Sequence, residues 1–351
     1  MHQIARWTRL RSLSTFDSGT WAVAWLEVMK ELLKNAVLSI ELGVEDFRAE
    51  DERRLLSSIR NLYAGVLLLC KQVLWTASPA GSEGSLIYKD LVPEYQGDGS
   101  VIMKPKKAHR NTVDRRMIED RFKSLGFDLD WDRLNTLAGI RNDTEHLFLK
   151  ATPVTAREAL ASAMPLIERL LVDHLEEDPT SLFEDGIWPV LLENSEVFEQ
   201  QADRCRKTFD DVTWSADILP DAVRHLRCPS CGSSLVRCIE TVDMDFDSLW
   251  LECAECGQDI EREEAFEKAF QEINVKEAYR VAKDGDLPSI AQCPECHRLS
   301  WSRGDRRCVF CDEQSLKCNI CGTECDPEDY DSEAGLCSSC SWGMQKAMRD
   351  D

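Results

Sequence analysis

Twelve of the sixteen cysteines in this 351-residue chain stand in Cys-x-x-Cys pairs, and all twelve lie beyond Cys205. Such a turn presents two soft sulfur ligands at the bite a tetrahedral metal requires, and two turns together close a site. Cys228 and Cys231 pair with Cys253 and Cys256 across 21 residues, Cys293 and Cys296 with Cys308 and Cys311 across 11, and Cys318 and Cys321 with Cys337 and Cys340 across 15. These spacings predict three zinc ribbons, over residues 225–260, 290–314 and 315–345, holding about three structural Zn2+ per chain. Gly232, Gly257 and Gly322 stand where a small residue usually follows such a knuckle. A four-cysteine site has no open coordination position, so it stabilises a small fold rather than activating water. A disulfide scaffold is the rival reading, but that pattern belongs to small secreted chains, and here the cysteines trail a long region nearly free of them. Cys70, Cys205 and Cys238 read as buried or surface thiols, Cys325 as a thiol able to displace a neighbour in the third site, and His297 as a weaker spare ligand. Trp250 and Trp301, inside the ribbons, are expected to pack rather than to stack on a base.

A second run carries a different chemistry: Arg141-Asn142-Asp143-Thr144-Glu145-His146. Histidine titrates near neutrality and can give or take a proton, and an arginine fork suits phosphate oxygens. The bare Arg-x4-His pattern is weak, since Arg169 and His174 match it too. That second match is filled by Leu170, Leu171 and Val172, and His174 falls on the apolar stripe of Leu160, Ile167 and Leu171, as a core histidine would. The first match is polar throughout. Its alternative reading is structural: Arg141 and Glu145 form an i,i+4 ion pair while His146 caps or packs near a helix end.

The elements that must position these residues are helices before Cys228 and small metal modules after it. Trp21 to Leu42 carries a broad apolar stripe (Ala22, Trp25, Met29, Leu32, Leu33, Ala36, Ile40) behind a plausible cap at Ser18. Asp46 to Trp75 places Leu55, Ile59, Leu62, Val66, Leu69 and Val73 at steps of four and three, the clearest core helix. Residues 76–110 fill with Gly, Ser and Pro and then turn basic at Lys104, Lys106, Lys107, His109 and Arg110, which reads as a long loop. Thr112 to Leu125 ends at Gly126, a helix C-terminal signal. Trp131 to Leu149 sets Leu137, Ile140, Thr144 and Leu147 toward a core, and Thr155 to Leu175 and Ile187 to Asp211 complete the region. No strand alternation appears before Cys228, so residues 1–215 are expected to be all-helical. An acidic helix over residues 261–285 is expected to pack or space the first two ribbons.

Net charge is −22, with 13 Lys+Arg against 27 Asp+Glu from Cys228 onward and 29 against 37 before it. Nucleic-acid binding usually leaves a basic footprint, and the metal region lacks one. The longest nearly apolar run, Leu62 to Cys70, is far short of the roughly 20 residues a membrane-spanning helix requires. Residues 1–19 carry Arg6, Arg9 and Arg11 without an apolar stretch of secretory length. A cytoplasmic protein with no membrane contact is expected.

Arg141-Asn142-x-x-x-His146, preceded by the helix Asn61 to Trp75, resembles the HEPN domain, and the resemblance covers roughly residues 20–175. It implies a HEPN-like helical bundle ahead of the small zinc modules, a mainly α fold class. Many members of that family are metal-independent ribonucleases, often toxins or antiviral defence effectors, whose arginine, following polar residue and histidine meet their copies across a dimer. The implied catalytic residues are Arg141, Asn142 and His146, and the implied assembly is a homodimer through the helical domain acting on RNA. The chemistry suits those residue types: cleavage without metal needs a proton taken from a 2'-hydroxyl, a proton given to the leaving 5'-oxygen and a cation at the phosphorane. Asn142 lies one turn before His146, whereas Arg141 is about 140° around the helix from it, so a two-fold pairing is needed to bring both groups into one cleft. Two functions follow as expectations: a homodimeric endoribonuclease whose ribbons recognise RNA or a protein partner, or a non-catalytic adaptor that dimerises through its helices and binds a partner through its acidic ribbons.

Overall fold

A computed structural model describes residues 20–49, 51–106, 111–146, 151–239, 244–311, 313–314 and 316–350, with the side chains of residues 20–30, 146, 276, 279–280, 282–284 and 347–350 outside the description. Ser18, the N-terminal arginines, Lys107, His109, Arg110 and Leu147, singled out above, lie outside the described residues, as do the side chains of Ala22, Trp25 and Met29. The chain divides into two compact units, Met1–Ser195 and Glu196–Asp351. Phe209, Val212 and Ala216 belong to the core of the second unit, so the division falls ahead of residue 215.

The first unit is mainly helical: α1 (Thr20–Arg48), α2 (Glu52–Thr76), α3 (Arg115–Leu125), α4 (Trp131–His146), α5 (Pro153–Glu168), the short α6 (Pro179–Leu182) and the start of α7 (Ile187–Lys207). The break between α1 and α2 falls later than the apolar pattern suggests. Asp51 stands in extended conformation and its side chain accepts the Arg53 backbone N–H, so α2 begins at Glu52 rather than near Asp46. The six predicted core residues of α2, from Leu55 to Val73, are all buried. At roughly 1.5–3 kcal/mol for each large aliphatic side chain removed from water, this face anchors the unit. Asp114 caps α3 by accepting from Met117, and Gly126 ends it at φ 72°. Pro153 sits in the first turn of α5, where Thr152 and Thr155 cap reciprocally, and one wide turn continues α5 through Arg169–His174.

The segment expected to be a structureless loop holds an antiparallel hairpin, β1 (Leu91–Tyr95) with β2 (Val101–Pro105). Its turn is closed by Gln96 N–H donating to Ser100 O at 2.8 Å, with Gly99 at φ 86°. Most of its residues are exposed, so no alternation of apolar and polar residues marks it in the sequence. The expectation of an all-helical region before Cys228 is corrected accordingly.

The second unit contains the end of α7, the short α8 (Ile218–Ala222), a three-stranded antiparallel sheet of β3 (Val236–Ile239), β4 (Trp250–Cys253) and β5 (Asp259–Ile260), and α9 (Arg262–Asp284). A like sheet of β6 (Ile290–Gln292), β7 (Leu299–Ser302) and β8 (Arg307–Cys308) follows, then the ribbon of β9 (Tyr330–Asp331) and β10 (Leu336–Cys337) and a terminal helix, α10 (Ser338–Asp350). The acidic helix packs rather than merely spaces. Ala265, Phe266, Ala269 and Phe270 of α9 are buried among Phe246 of the first ribbon and Ile290, Val309 and Phe310 of the second.

Helices α1 and α2 approach closely through two glycines. A Cβ on Gly65 would lie 2.5 Å from Ile40 Cγ1, and one on Gly43 would lie 2.9 Å from Leu62 Cγ. Alanine normally favours a helix interior over glycine by about 1 kcal/mol. Gly65→Ala is nevertheless expected to lower stability, and equilibrium urea unfolding that shows a gain instead would show that the contact is not tight.

Candidate functional site

The Sγ atoms of Cys228, Cys231, Cys253 and Cys256 lie within 4.8 Å of one another, as do those of Cys293, Cys296, Cys308 and Cys311 and those of Cys318, Cys321, Cys337 and Cys340. These are the three groupings expected from spacing. Individual separations are 3.7 Å for Cys228–Cys256, 3.6 Å for Cys231–Cys253, 3.7 Å for Cys293–Cys311, 3.7 Å for Cys296–Cys308 and 3.8 Å for Cys321–Cys337. A zinc ion with sulfur ligands at about 2.3 Å in a tetrahedron puts its sulfurs about 3.8 Å apart, whereas a disulfide needs about 2.05 Å. The sulfur positions therefore fit a metal and not a disulfide.

A repeated backbone device builds the knuckles. The amide after the second cysteine donates to the first cysteine's carbonyl: Gly232 to Cys228 at 2.9 Å, Gly257 to Cys253 at 2.9 Å, His297 to Cys293 at 3.0 Å and Gly322 to Cys318 at 2.8 Å. The first cysteine's own amide then donates to the carbonyl two residues past the second cysteine, Cys228 to Ser233 O, Cys253 to Gln258 O, Cys293 to Arg298 O and Cys318 to Thr323 O. This return requires a left-handed residue, and His297 takes it at φ 59° beside glycines at 76°, 69° and 69°. His297 is thus a turn residue, not a fourth or fifth ligand. The last pair is built differently: β10 delivers Cys337, and Cys340 lies in the first turn of α10, its amide 3.4 Å from Cys337 Sγ.

The remaining thiols stay outside the groups. Cys238 is buried on β3 and donates to Ile239 O, and Cys325 donates to Thr323 O beside the third group without joining it. Burial pushes the Cys70 thiol up to about 12, as it raises Cys231 and Cys293 above the ordinary thiol value, while the backbone amides of Cys321 and Cys337 draw Cys318 down to about 6. Metal binding must strip the protons from the ligand thiols, so it releases protons and competes with them.

In the helical unit, Asp130 starts α4, its carbonyl accepting from Leu134 and its carboxylate from Arg133. Leu134, Leu137 and Ile140 bury one side of α4, and this leaves Arg141 and Asn142 at its far end, Asn142 exposed. The Arg141 guanidinium meets Glu145 at 2.9 Å, donates to Asn142 Oδ1 at 2.9 Å and lies over the Tyr63 ring at 5.5 Å. Glu145 also accepts from Arg60 of α2 at 2.6 Å, so one carboxylate bridges two guanidiniums from two helices. The i,i+4 ion pair weighed as the structural alternative is present. Asn142 serves Arg141, and the His146 side chain lies outside the described residues. Arg60 and Tyr63 of α2 complete this group, and no part of the Arg-x4-His motif points to them. At the second Arg-x4-His match, Arg169 pairs with Asp173 and Asp128, and His174 meets Asp128 O at 2.8 Å and packs on Phe122 and Phe127. His174 is half-buried, a rim residue rather than a fully buried one.

Compared with models of protein families, with curated proteins and with solved structures, the chain matches none. No helix among the described residues is long and apolar enough to cross a membrane.

Full occupancy is expected to be three metal ions per chain by elemental analysis, falling to two in Cys308→Ser and staying at three in His297→Gly. The third group has one buried cysteine where the first two have two each. A colorimetric chelator should therefore strip one ion ahead of the other two, and uniform release would show that the exposure difference does not control access.

Proposed function

We propose that this chain is a homodimeric, metal-independent endoribonuclease whose helical unit carries the chemistry, with zinc as the ion in the three cysteine groups and the zinc modules serving as scaffold and partner-recognition elements. The observation that carries this reading is the placement of half-buried Arg141 and exposed Asn142 in the last two turns of α4, with His146 closing the same helix and Arg60 of α2 beside Glu145. Arginine there supplies a fork for the scissile phosphate, and His146 supplies proton transfer to or from the reacting oxygens. At 3.6 residues per turn, positions 141 and 146 are about 140° apart around one helix, so a second copy completes each site. Use as a toxin or in antiviral defence, and a cytoplasmic location, belong to the same reading.

A non-catalytic adaptor is the second reading, and the Arg60–Glu145–Arg141 bridge favours it, because the Arg141 guanidinium already has a half-buried carboxylate partner. On the first reading substrate phosphate displaces Glu145. On the second the bridge ties α2 to α4 and nothing more.

Purified protein incubated with mixed RNA distinguishes the two. Cleavage should persist in chelator at pH 7 long enough to be scored before metal loss, and it should fall by at least about 100-fold in Arg141→Ala and in His146→Ala. Activity that survives His146→Ala would remove the site assignment, and absence of cleavage under every condition would leave the adaptor. Sedimentation should give a dimer under the nuclease reading.

A further inference from the structure

The tryptophans of the first and second zinc modules, Trp250 and Trp301, have opposite environments. Trp301 is 3% exposed and packs as expected, but Trp250 is 55% exposed, so the expectation of packing fails for it. The reason is register. Successive residues of a strand face opposite sides, and β4 turns Leu251 and Cys253 into the core while Trp250 and Glu252 face out. The exposed ring is not loose, because its indole Nε1 donates to Asp259 Oδ1 on the adjacent strand β5 at 3.1 Å.

Beside the ring lies a concavity of about 460 Å³, with Leu249, Trp250 and Ile260 as its apolar lining and Asp247, Asp259 and Glu261 as its charged lining. Each carboxylate has one local task. Asp259 holds the indole, Glu261 caps α9 by accepting from Glu264 N at 2.7 Å, and Asp247 pairs with Arg262 at 3.3 Å while 78% of its side chain remains exposed. Arg262 itself is only 15% exposed, lies over the Phe246 ring at 4.7 Å and donates to Phe246 O, so it belongs to the module's frame. The concavity keeps a surplus of negative charge against a fixed aromatic face.

That combination selects its occupant. Nucleic-acid phosphate is repelled by three carboxylates, and an apolar ligand would leave them desolvated without a partner. A cation on an aromatic ring satisfies both walls, and a planar guanidinium stacks on an indole while donating to carboxylates, which an ammonium does less well. We infer that the first zinc module carries a recognition site for an arginine-bearing peptide segment of a partner protein, with the guanidinium on the Trp250 ring and its donors toward Asp247 and Asp259. The surplus of 27 acidic over 13 basic residues from Cys228 onward draws a basic partner toward this face. No residue before Asp247 enters the site, so it stands whether or not the helical unit cleaves RNA.

The test uses the full zinc-loaded chain and follows the indole N–H resonance of Trp250 by NMR, assigned by its loss in Trp250→Phe. The probes are a seven-residue peptide of two arginines among glycines, the same peptide with citrulline in place of arginine, and a short oligouridylate. The arginine peptide should shift the resonance saturably and bind about five-fold more weakly to Trp250→Ala, read by calorimetry, the size expected of an exposed cation–π contact. Asp259→Asn should weaken binding comparably while keeping three metal ions per chain, which separates recognition from folding. Citrulline should abolish binding, and oligouridylate should leave the resonance unmoved. The inference is overturned if the arginine peptide does not bind, if citrulline binds as well, if both variants bind normally, or if oligouridylate is what moves the resonance.

Discussion

Four sulfur atoms gathered within 4.8 Å of one another form an arrangement that only a cation makes favourable. As thiols they are poor hydrogen-bonding partners, and as thiolates they repel one another and lose hydration. A divalent ion reverses both penalties, so the free energy of metal binding becomes free energy of folding. The second unit carries three such groups. Its strands are two to four residues long, too short to hold together by pairing alone. In four of the knuckles the amide that returns to the first cysteine's carbonyl is the local device by which the backbone presents sulfur at the required angle.

The metal modules are not independent beads. Phe246, Phe266, Phe270 and Phe310 meet across the first ribbon, α9 and the second ribbon, with ring centroids 5.1–6.5 Å apart. Cys228 and Cys253 lie in the same core as Val309 and Ile290. The second and third modules share a smaller core in which Trp301 and Leu316 pack with Cys293 and Cys308, and Cys325 and Tyr330 lean against it. Helix α9 therefore does for the ribbons what α2 does for the helical unit: it gives short or amphipathic elements one apolar surface on which to close.

Much of this was legible in the sequence where the signal is local. The apolar period of α2, the cap at Gly126 and the cysteine spacing each describe contacts made within a few residues or within one module, and each appears in the structure as read. The misses are of two physical kinds. The β1–β2 hairpin buries too little for its face pattern to register, and Trp250 looked like core material because residue type is a weaker guide to burial than strand register. Arg141 shows a third limit. Its i,i+4 partner Glu145 was visible, but Arg60 lies 85 residues from Glu145, and no spacing rule connects them.

The shared aromatic core has a consequence for how the chain responds to metal supply. Were the three groups isolated, each would fill along its own shallow saturation curve. Because α9 packs on the frames of the first two groups at once, an ion bound in one would stiffen the wall of the other, and by linkage the converse would hold. Occupancy of the pair would then be steeper in free metal than either site alone. The packing of four phenylalanines thus places two cysteine groups on one apolar frame, where stiffness at one is felt at the other.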